Sequence, residues 1–213
     1  MSEIVYAKDV TLYDLKTRFH LQLVEDSQFF PEWQSNLPPI NDYEKQLLDK
    51  LKAGYFNLVE YPPLLENTVQ LAVLGPLLYL ADFFLAPFHI RSEISVSLSD
   101  VDEGMTVEGK IDILVLKEHF WVVAIESKRA SFSIEAGLAQ LLSYMLANPH
   151  HNHLNFGFIT TGGSFVFVKL VARDVPQYAL SRIFEQRNPG NDLYAVLSVL
   201  KQFRQLFSEE EMA

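Results

Sequence analysis

The amino-acid sequence predicts an α/β protein in which a central mixed β-sheet is flanked by helices. The region 88–127 contains three strand-like segments, and the last two are separated only by Glu118 and His119, which predicts an antiparallel hairpin. The region 134–171 contains an apolar helix and then a strand pair with its turn at Gly162. This alternation of strands and helices is typical of a sheet that is covered on its faces.

Helices are also predicted before this unit. Asn41 and Glu44 have the spacing of a capping box, and the helix that they begin is expected to end before Gly54. A near-continuous apolar segment at 64–84 predicts a buried helix. Pro76 is expected to break or kink that helix near its centre, because proline lacks an amide donor.

Part of this apolar segment has the length of a membrane span. Residues 69–88 form a mostly apolar run, but Gln70, Asp82, Pro76 and Pro87 interrupt it. Such interruptions favour a helix buried in the protein core over one that crosses a bilayer. We therefore predict no membrane association.

The chain is long enough for one main core with small additions. The sequence predicts an N-terminal arm at 1–40, a core domain at 41–175 and a C-terminal extension at 176–213. The extension contains a short extended segment at 178–184, an amphipathic helix at 193–207 and an acidic tail.

Composition limits both the compartment and the partners. The chain has no cysteine, which excludes disulfides and thiolate metal sites, and its N-terminus has no secretory pattern, so we expect a cytoplasmic protein. The formal charge is −10; residues 1–104 carry 16 acidic and 7 basic side chains, and residues 105–207 carry 8 and 10. The sequence has no broad cluster of basic residues for free nucleic acid, which counts against tight DNA binding by the isolated chain.

The predicted hairpin places charged groups at the end of an apolar strand. Asp112 lies on its first strand, and Glu126 and Lys128 end the second, where their spacing of two directs both side chains to one face. Two carboxylates on adjacent strands suit Mg²⁺, and a neighbouring lysine is able to orient or deprotonate a water or to stabilise charge on a phosphate. The triplet alone is unspecific, since Asp14–Lys16 and Glu108–Lys110 also fit it.

A purely structural interpretation accounts for the same residues. In it, Glu126 and Lys128 form a surface ion pair that closes an edge strand, and Asp112 is a solvated strand residue. Gln140 and Tyr144 are then an ordinary polar pair one helical turn apart.

The order of the polar groups along the chain resembles the PD-(D/E)XK nuclease superfamily. The matching elements are Glu66 on a helix, Ile111-Asp112, Glu126-Ser127-Lys128 and Gln140-x-x-x-Tyr144. The last element is similar to that of RecB-type nucleases and of the N-terminal nuclease domain of type I restriction enzyme R subunits. The resemblance covers roughly residues 60–170 and departs at Ile111, where the superfamily pattern has proline.

The resemblance implies a restriction-endonuclease-like fold and a role for each matching residue. The implied roles are Asp112, Glu126 and Glu66 as ligands of Mg²⁺, with Mn²⁺ as a substitute, Lys128 as the catalytic lysine, and Gln140 and Tyr144 as helix residues that place the site or the DNA.

The implied function is a metal-dependent DNA endonuclease of restriction-enzyme type. No G-x-x-x-x-G-K-[ST] motif is present, so we expect no motor in this chain, but a recruiting protein partner and a possible homodimer. Two alternatives stay open: a nuclease-fold interaction or regulatory subunit that does not cleave DNA alone, and a protein-binding α/β module with a chance motif.

Two further sets of residues have open roles. Glu93, on the first strand of the sheet, is either an additional member of the acidic cluster or a solvated residue. His150, His151 and His153 follow Asn148-Pro149, and we interpret them as a solvated loop in preference to a metal cluster.

Overall fold

The structure is a computed structural model that describes residues 3–100, 105–128, 134–150 and 155–209. The strands are β1 (Glu3–Tyr6), β2 (Gln22–Leu23), β3 (Phe88–Asp100), β4 (Met105–Lys117), β5 (Phe120–Ser127), β6 (Asn155–Thr160), β7 (Ser164–Val171), β8 (Gln177–Leu180) and β9 (Phe184–Glu185). The helices are α1 (Leu12–Arg18), α2 (Asp42–Val59), α3 (Glu66–Val69), α4 (Gly75–Leu80), α5 (Ile134–Leu146) and α6 (Leu193–Glu209). A π-helical segment, Gln70–Leu74, joins α3 to α4.

The described strands form one mixed sheet in the order β1-β4-β5-β6-β7-β8-β2, with β3 paired to β4 and β9 paired to β7. The β4–β5 hairpin and the β6–β7 pair are antiparallel, as predicted. Strands β5 and β6 are parallel because α5 connects them as a crossover. The α/β class and the mixed sheet are therefore confirmed.

Helices cover the sheet on both faces and bury two separate apolar cores. Helices α2, α4 and α6 pack on one face, where Leu48, Leu77 and Phe203 are fully buried. Helices α1 and α5 pack on the other face, where Leu15 and Leu141 are fully buried. One face of the apolar 64–84 segment is buried, as predicted, whereas Leu71 and Tyr79 on its other face are exposed. Among the described helices none has the length and apolar character needed to cross a bilayer.

The chain before residue 40 contributes two strands that the sequence pattern does not reveal. Strand β1 pairs in parallel with β4, in the register Tyr6 to Glu108, and β2 pairs in parallel with β8. The partly buried ion pair Lys169–Glu32, at 2.5 Å, also ties this segment to the sheet. The segment thus adds two short strands to the sheet, while β3, paired along the length of β4, is the outer strand on that side.

Helix α2 begins as predicted but ends later. The amide of Glu44 donates to Asn41 Oδ1 at 2.9 Å, and the amide of Asn41 donates to Glu44 Oε2 at 2.8 Å, which confirms the capping box. The predicted end before Gly54 is wrong, since the helix continues to Val59. Burial of Tyr55 against the core offsets the roughly 1 kcal/mol that a helical glycine costs.

The break or kink predicted at Pro76 occurs as a change of helix type and not as a break. The chain stays helical from α3 through α4, and the turn before the proline is widened to a π-helix in which the amide of Gly75 donates to the carbonyl of Gln70. Pro76 occupies the start of α4, where a missing amide donor costs little. The widened turn carries Gln70, which reaches the candidate site.

Candidate active site

At the end of β5, successive polar side chains point to opposite faces of the sheet. Glu126 and Lys128 point toward α5, and the Lys128 Nζ lies 2.7 Å from Glu126 Oε1. Ser127, between them, points toward Gln70 on the opposite face. The amide of Lys128 donates to the carbonyl of Thr160 at 2.8 Å, which anchors the strand end to β6. The predicted same-face placement of Glu126 and Lys128 is therefore present.

Helix α5 continues this polar line as a chain of hydrogen bonds. Lys128 Nζ donates to Gln140 Oε1 at 2.7 Å, and Gln140 Nε2 donates to the Tyr144 hydroxyl at 2.7 Å. Gln140 and Tyr144 are 9% and 2% exposed, so these hydrogen bonds are largely shielded from water. Within the described residues, Glu126 and Gln140 occupy two of the three N–H donors of Lys128, which leaves one for a substrate or water oxygen.

Gly109 on β4 makes room for Tyr144. A Cβ at residue 109 would lie 2.7 Å from Cε1 of Tyr144 and 2.6 Å from Cβ of Ala7, distances that side chains do not tolerate. Burial and the nearby charge of Glu126 raise the pKa of Tyr144, so its hydroxyl stays protonated.

Asp112 is held at the end of the hairpin by Ser127. Its Oδ2 accepts the amide N–H of Ser127 at 2.8 Å and the Ser127 hydroxyl at 2.7 Å. The Ser127 Oγ in turn accepts a hydrogen bond from Gln70 Nε2 at 2.8 Å. Both donors of Ser127 bond to Oδ2 of Asp112, which fixes the orientation of this carboxyl group. Its other oxygen, Oδ1, has no hydrogen bond among the described residues.

A local irregularity in β3 and β4 accompanies this placement. Asp112 has no paired residue on either neighbouring strand, although Ile113 pairs with Ile125 on β5 and the register with β3 continues on both sides. Glu93 stands opposite Asp112 in that register, with a left-handed φ of 53°. Such a backbone is costly for a residue with a side chain and is often found next to functional sites.

The carboxyl group of Glu126 lies in an unfavourable electrostatic environment. It is 2% exposed, and its Oε2 has no hydrogen-bond partner among the described residues. Burial raises the pKa of Glu126 to about 8, and the charges of Asp112 and Glu66 add to this, while Lys128 acts in the opposite direction. The ion pair with Lys128 therefore only partly compensates for burial.

These features fit a bound cation that is held by few protein ligands. Within the described ranges, no three His, Asp or Glu side chains are grouped closely enough to enclose a metal ion. Mg²⁺ commonly binds one or two carboxylates and completes its shell with water and phosphate oxygens. Asp112 and Glu126 fit that arrangement, and the half-buried Glu66, at the start of α3, contributes negative charge to the same place.

The remaining predicted residues have different outcomes. Glu93 is exposed, and its charge is not among those that raise the pKa of Glu126. The ring of His150 lies 5.1 Å from that of His119, at the hairpin turn, and His151 and His153 lie outside the described residues.

The structural interpretation of the triplet as a surface feature is wrong. Strand β5 lies between β4 and β6 and not at an edge, and Glu126 is buried. Sequence patterns did not identify Ser127, Gln70 or Gly109 as members of the site. Ser127 stands in the variable position of its triplet, and the other two act through contacts with distant segments.

Comparison of the chain with protein-family models gives no match, and comparison with curated proteins gives none either. The assignment of a function therefore depends on the residues of the site and on their geometry.

Proposed function

We propose that the protein is a metal-dependent DNA endonuclease of the PD-(D/E)XK type, with a restriction-endonuclease-like fold. The observation that carries this proposal is the buried Glu126 carboxylate, whose Oε2 has no described partner and whose neighbours are the carboxylates of Asp112 and Glu66. A protein keeps such a group, at a considerable cost in stability, when a cation or substrate compensates for it.

Each side chain of the site has a role in phosphodiester hydrolysis. Asp112 and Glu126 hold Mg²⁺, or Mn²⁺ in its place, with Glu66 contributing charge from α3. The bound ion supplies charge neutralisation at the phosphate and a more acidic water. Lys128 directs its remaining N–H donor to a phosphate or water oxygen, and Gln140 and Tyr144 keep its ammonium group in position.

The test is cleavage of supercoiled and linear DNA in Mg²⁺ or Mn²⁺. We expect wild-type protein to cleave, EDTA to abolish cleavage, and Lys128→Ala to reduce the rate by about 100-fold or more, which is the scale of a lost electrostatic contact in catalysis. Lys50→Ala, which removes an exposed lysine on α2, is the matched control and retains wild-type activity. Cleavage that persists in Lys128→Ala refutes the role of the lysine.

The second candidate is a nuclease-fold subunit that keeps this site but acts only with a partner protein. An apolar groove of about 820 Å³ lies between α2 and the α3–α4 region, and its lining includes Leu71, Tyr79 and Tyr43. Leu71 is 80% exposed and Tyr79 is 68% exposed. Apolar side chains concentrated in a groove are typical of a site for an amphipathic helix of another protein.

The cleavage assay separates the two candidates. Absence of cleavage by wild-type protein in either metal favours the subunit. In that case Leu71→Asp and Tyr79→Asp should prevent assembly with the partner, whereas Asp112→Asn should not.

A further inference from the structure

Two clefts adjoin the candidate site at the β1–β4 edge of the sheet. The first has a volume of about 280 Å³ and is lined by Gln140 and Tyr144 of the site together with Tyr6 and Lys8. The second has a volume of about 530 Å³ and is lined by residues that include Tyr6, Ser95 and Ser97. Both clefts share Tyr6, Glu108, Gly109 and Lys110, so they form one continuous surface.

This surface, which we call the β1 cleft, begins one hydrogen bond away from the catalytic lysine. Gln140 lines the cleft and accepts the hydrogen bond of Lys128. A polymer whose phosphate lies at Lys128 therefore has an adjacent concave surface to follow. Volumes of roughly 300 Å³ and above are those of small-molecule sites, and they suit one nucleotide better than a duplex.

The side chains of the β1 cleft have the chemistry of a site for a single nucleic acid strand. Tyr6 is 60% exposed and presents its ring to solvent, with Lys8 Nζ at 5.9 Å from the ring centre. Lys8 and Lys110 are exposed cations, and Glu108 is the carboxylate among the residues that line the cleft. An aromatic ring beside two lysines is the arrangement on which an unpaired base stacks while its phosphates meet positive charge.

We propose that the β1 cleft binds a single-stranded segment of DNA next to the cleaved phosphate. An unpaired base stacks on Tyr6, and Lys8 and Lys110 contact the flanking phosphates. This inference rests on the proposed nuclease function, of which it names the substrate class. It requires no duplex contact, which agrees with a chain of net charge −10 that has no broad basic surface.

Binding without metal tests the cleft separately from cleavage. The measurement is fluorescence anisotropy of a labelled oligothymidylate with the full chain in EDTA, compared with a duplex of the same length. We expect the single strand to bind more tightly. Tyr6→Ala should weaken its binding by about 5- to 100-fold, the scale of one lost stacking contact, while Tyr6→Phe retains it.

Tyr13→Ala is the matched control, because Tyr13 is 73% exposed on α1 and lines neither cleft, and it should bind as wild type does. The double variant Lys8→Ala/Lys110→Ala should lower the slope of log affinity against log salt by about 1.4, which corresponds to two phosphates of a single strand. A merely structural effect would lower affinity without changing that slope.

The outcomes separate this proposal from the nuclease assignment. Specific single-strand binding that depends on Tyr6, without cleavage in Mg²⁺ or Mn²⁺, refutes nuclease activity of the isolated chain and supports the cleft. If Tyr6→Ala binds the single strand and cleaves DNA as the wild type does, the nuclease function is supported and the proposed role of the β1 cleft is overturned. Equal or tighter binding of the duplex also overturns it.

Discussion

Replacement of Glu126 by glutamine tests the electrostatics of the site without any DNA. Glutamine has the size of the protonated glutamate and keeps an oxygen that accepts the hydrogen bond of Lys128, but it cannot become charged. The substitution therefore removes only the ionised state of residue 126. We expect Glu126→Gln to stabilise the metal-free protein at alkaline pH and to leave its stability nearly unchanged at pH 5.

The magnitude follows from the pKa of Glu126 in the two states. That pKa is 4.5 in the unfolded chain and about 8 in the folded protein, so between these values the folded state binds more protons. Stability is then highest below pH 4.5, falls as the pH rises, and reaches its full loss above pH 8. The difference corresponds to at most about 5 kcal/mol, a large share of the roughly 5–15 kcal/mol that stabilises a typical domain.

The assay is urea denaturation in EDTA between pH 5 and pH 9. We expect Glu126→Gln to exceed the wild type by about 2–5 kcal/mol in free energy of unfolding at pH 9 and by less than about 1 kcal/mol at pH 5. Glu60→Gln, at the exposed end of α2, is the control for losing one carboxylate. Mg²⁺ at pH 8.5 should recover much of the lost stability in the wild type but not in the glutamine variant.

A stability difference that does not change with pH would refute this account of Glu126. A wild type that is more stable than Glu126→Gln at pH 9 would show that the attraction of Lys128 outweighs burial. In either case the site would be a stabilising ion pair, and its burial would no longer argue for a cation.

Four further substitutions test the surroundings of the site and helix α2. Gly109→Ala should destabilise the protein by about 1–3 kcal/mol in thermal melts because its Cβ collides with Tyr144, whereas Gly54→Ala, with open space in α2, should stabilise it by up to about 1 kcal/mol. Asn41→Ala should cost about 1 kcal/mol in urea denaturation through the lost cap, with cleavage unchanged. Ser127→Ala should raise the Mg²⁺ concentration for half-maximal cleavage by about 10-fold or more, because the carboxylate of Asp112, the proposed metal ligand, loses the hydroxyl that helps to hold it; an unchanged requirement would contradict that role.

Local patterns in the sequence were sufficient for much of the fold. The capping box of Asn41 and Glu44 and the β4–β5 hairpin depend on neighbouring residues, so the sequence predicts them correctly. Strand β1 depends instead on pairing with β4, about a hundred residues away, and its four residues carry no periodic signal of their own. The end of α2 was misjudged for a similar reason, since burial of Tyr55 outweighed the local cost of Gly54.

The sequence predicted which residues form the candidate site better than it predicted the contacts between them. Glu126, Lys128, Gln140 and Tyr144 were expected together, and they form one hydrogen-bonded line. The anchoring of Asp112 by the amide and hydroxyl of the residue after Glu126 was not expected, because side chains that alternate along a strand place that residue on the other face. The strand irregularity at Asp112 brings the two groups together, and no local pattern encodes it.

The same burial that makes the site costly also explains the arrangement of its lysine. With Glu126 neutral, Lys128 is held by hydrogen bonds to two acceptors, Glu126 Oε1 and Gln140 Oε1. When Glu126 ionises, its second oxygen remains without a described partner, since Lys128 contacts only Oε1. One carboxylate oxygen of Glu126 and one N–H of Lys128, on the same face of β5, are thus without a hydrogen-bond partner among the described residues. A cation at the first and a phosphate oxygen at the second would satisfy both groups at once, which is why we regard the pair as a substrate site and not as a stabilising contact.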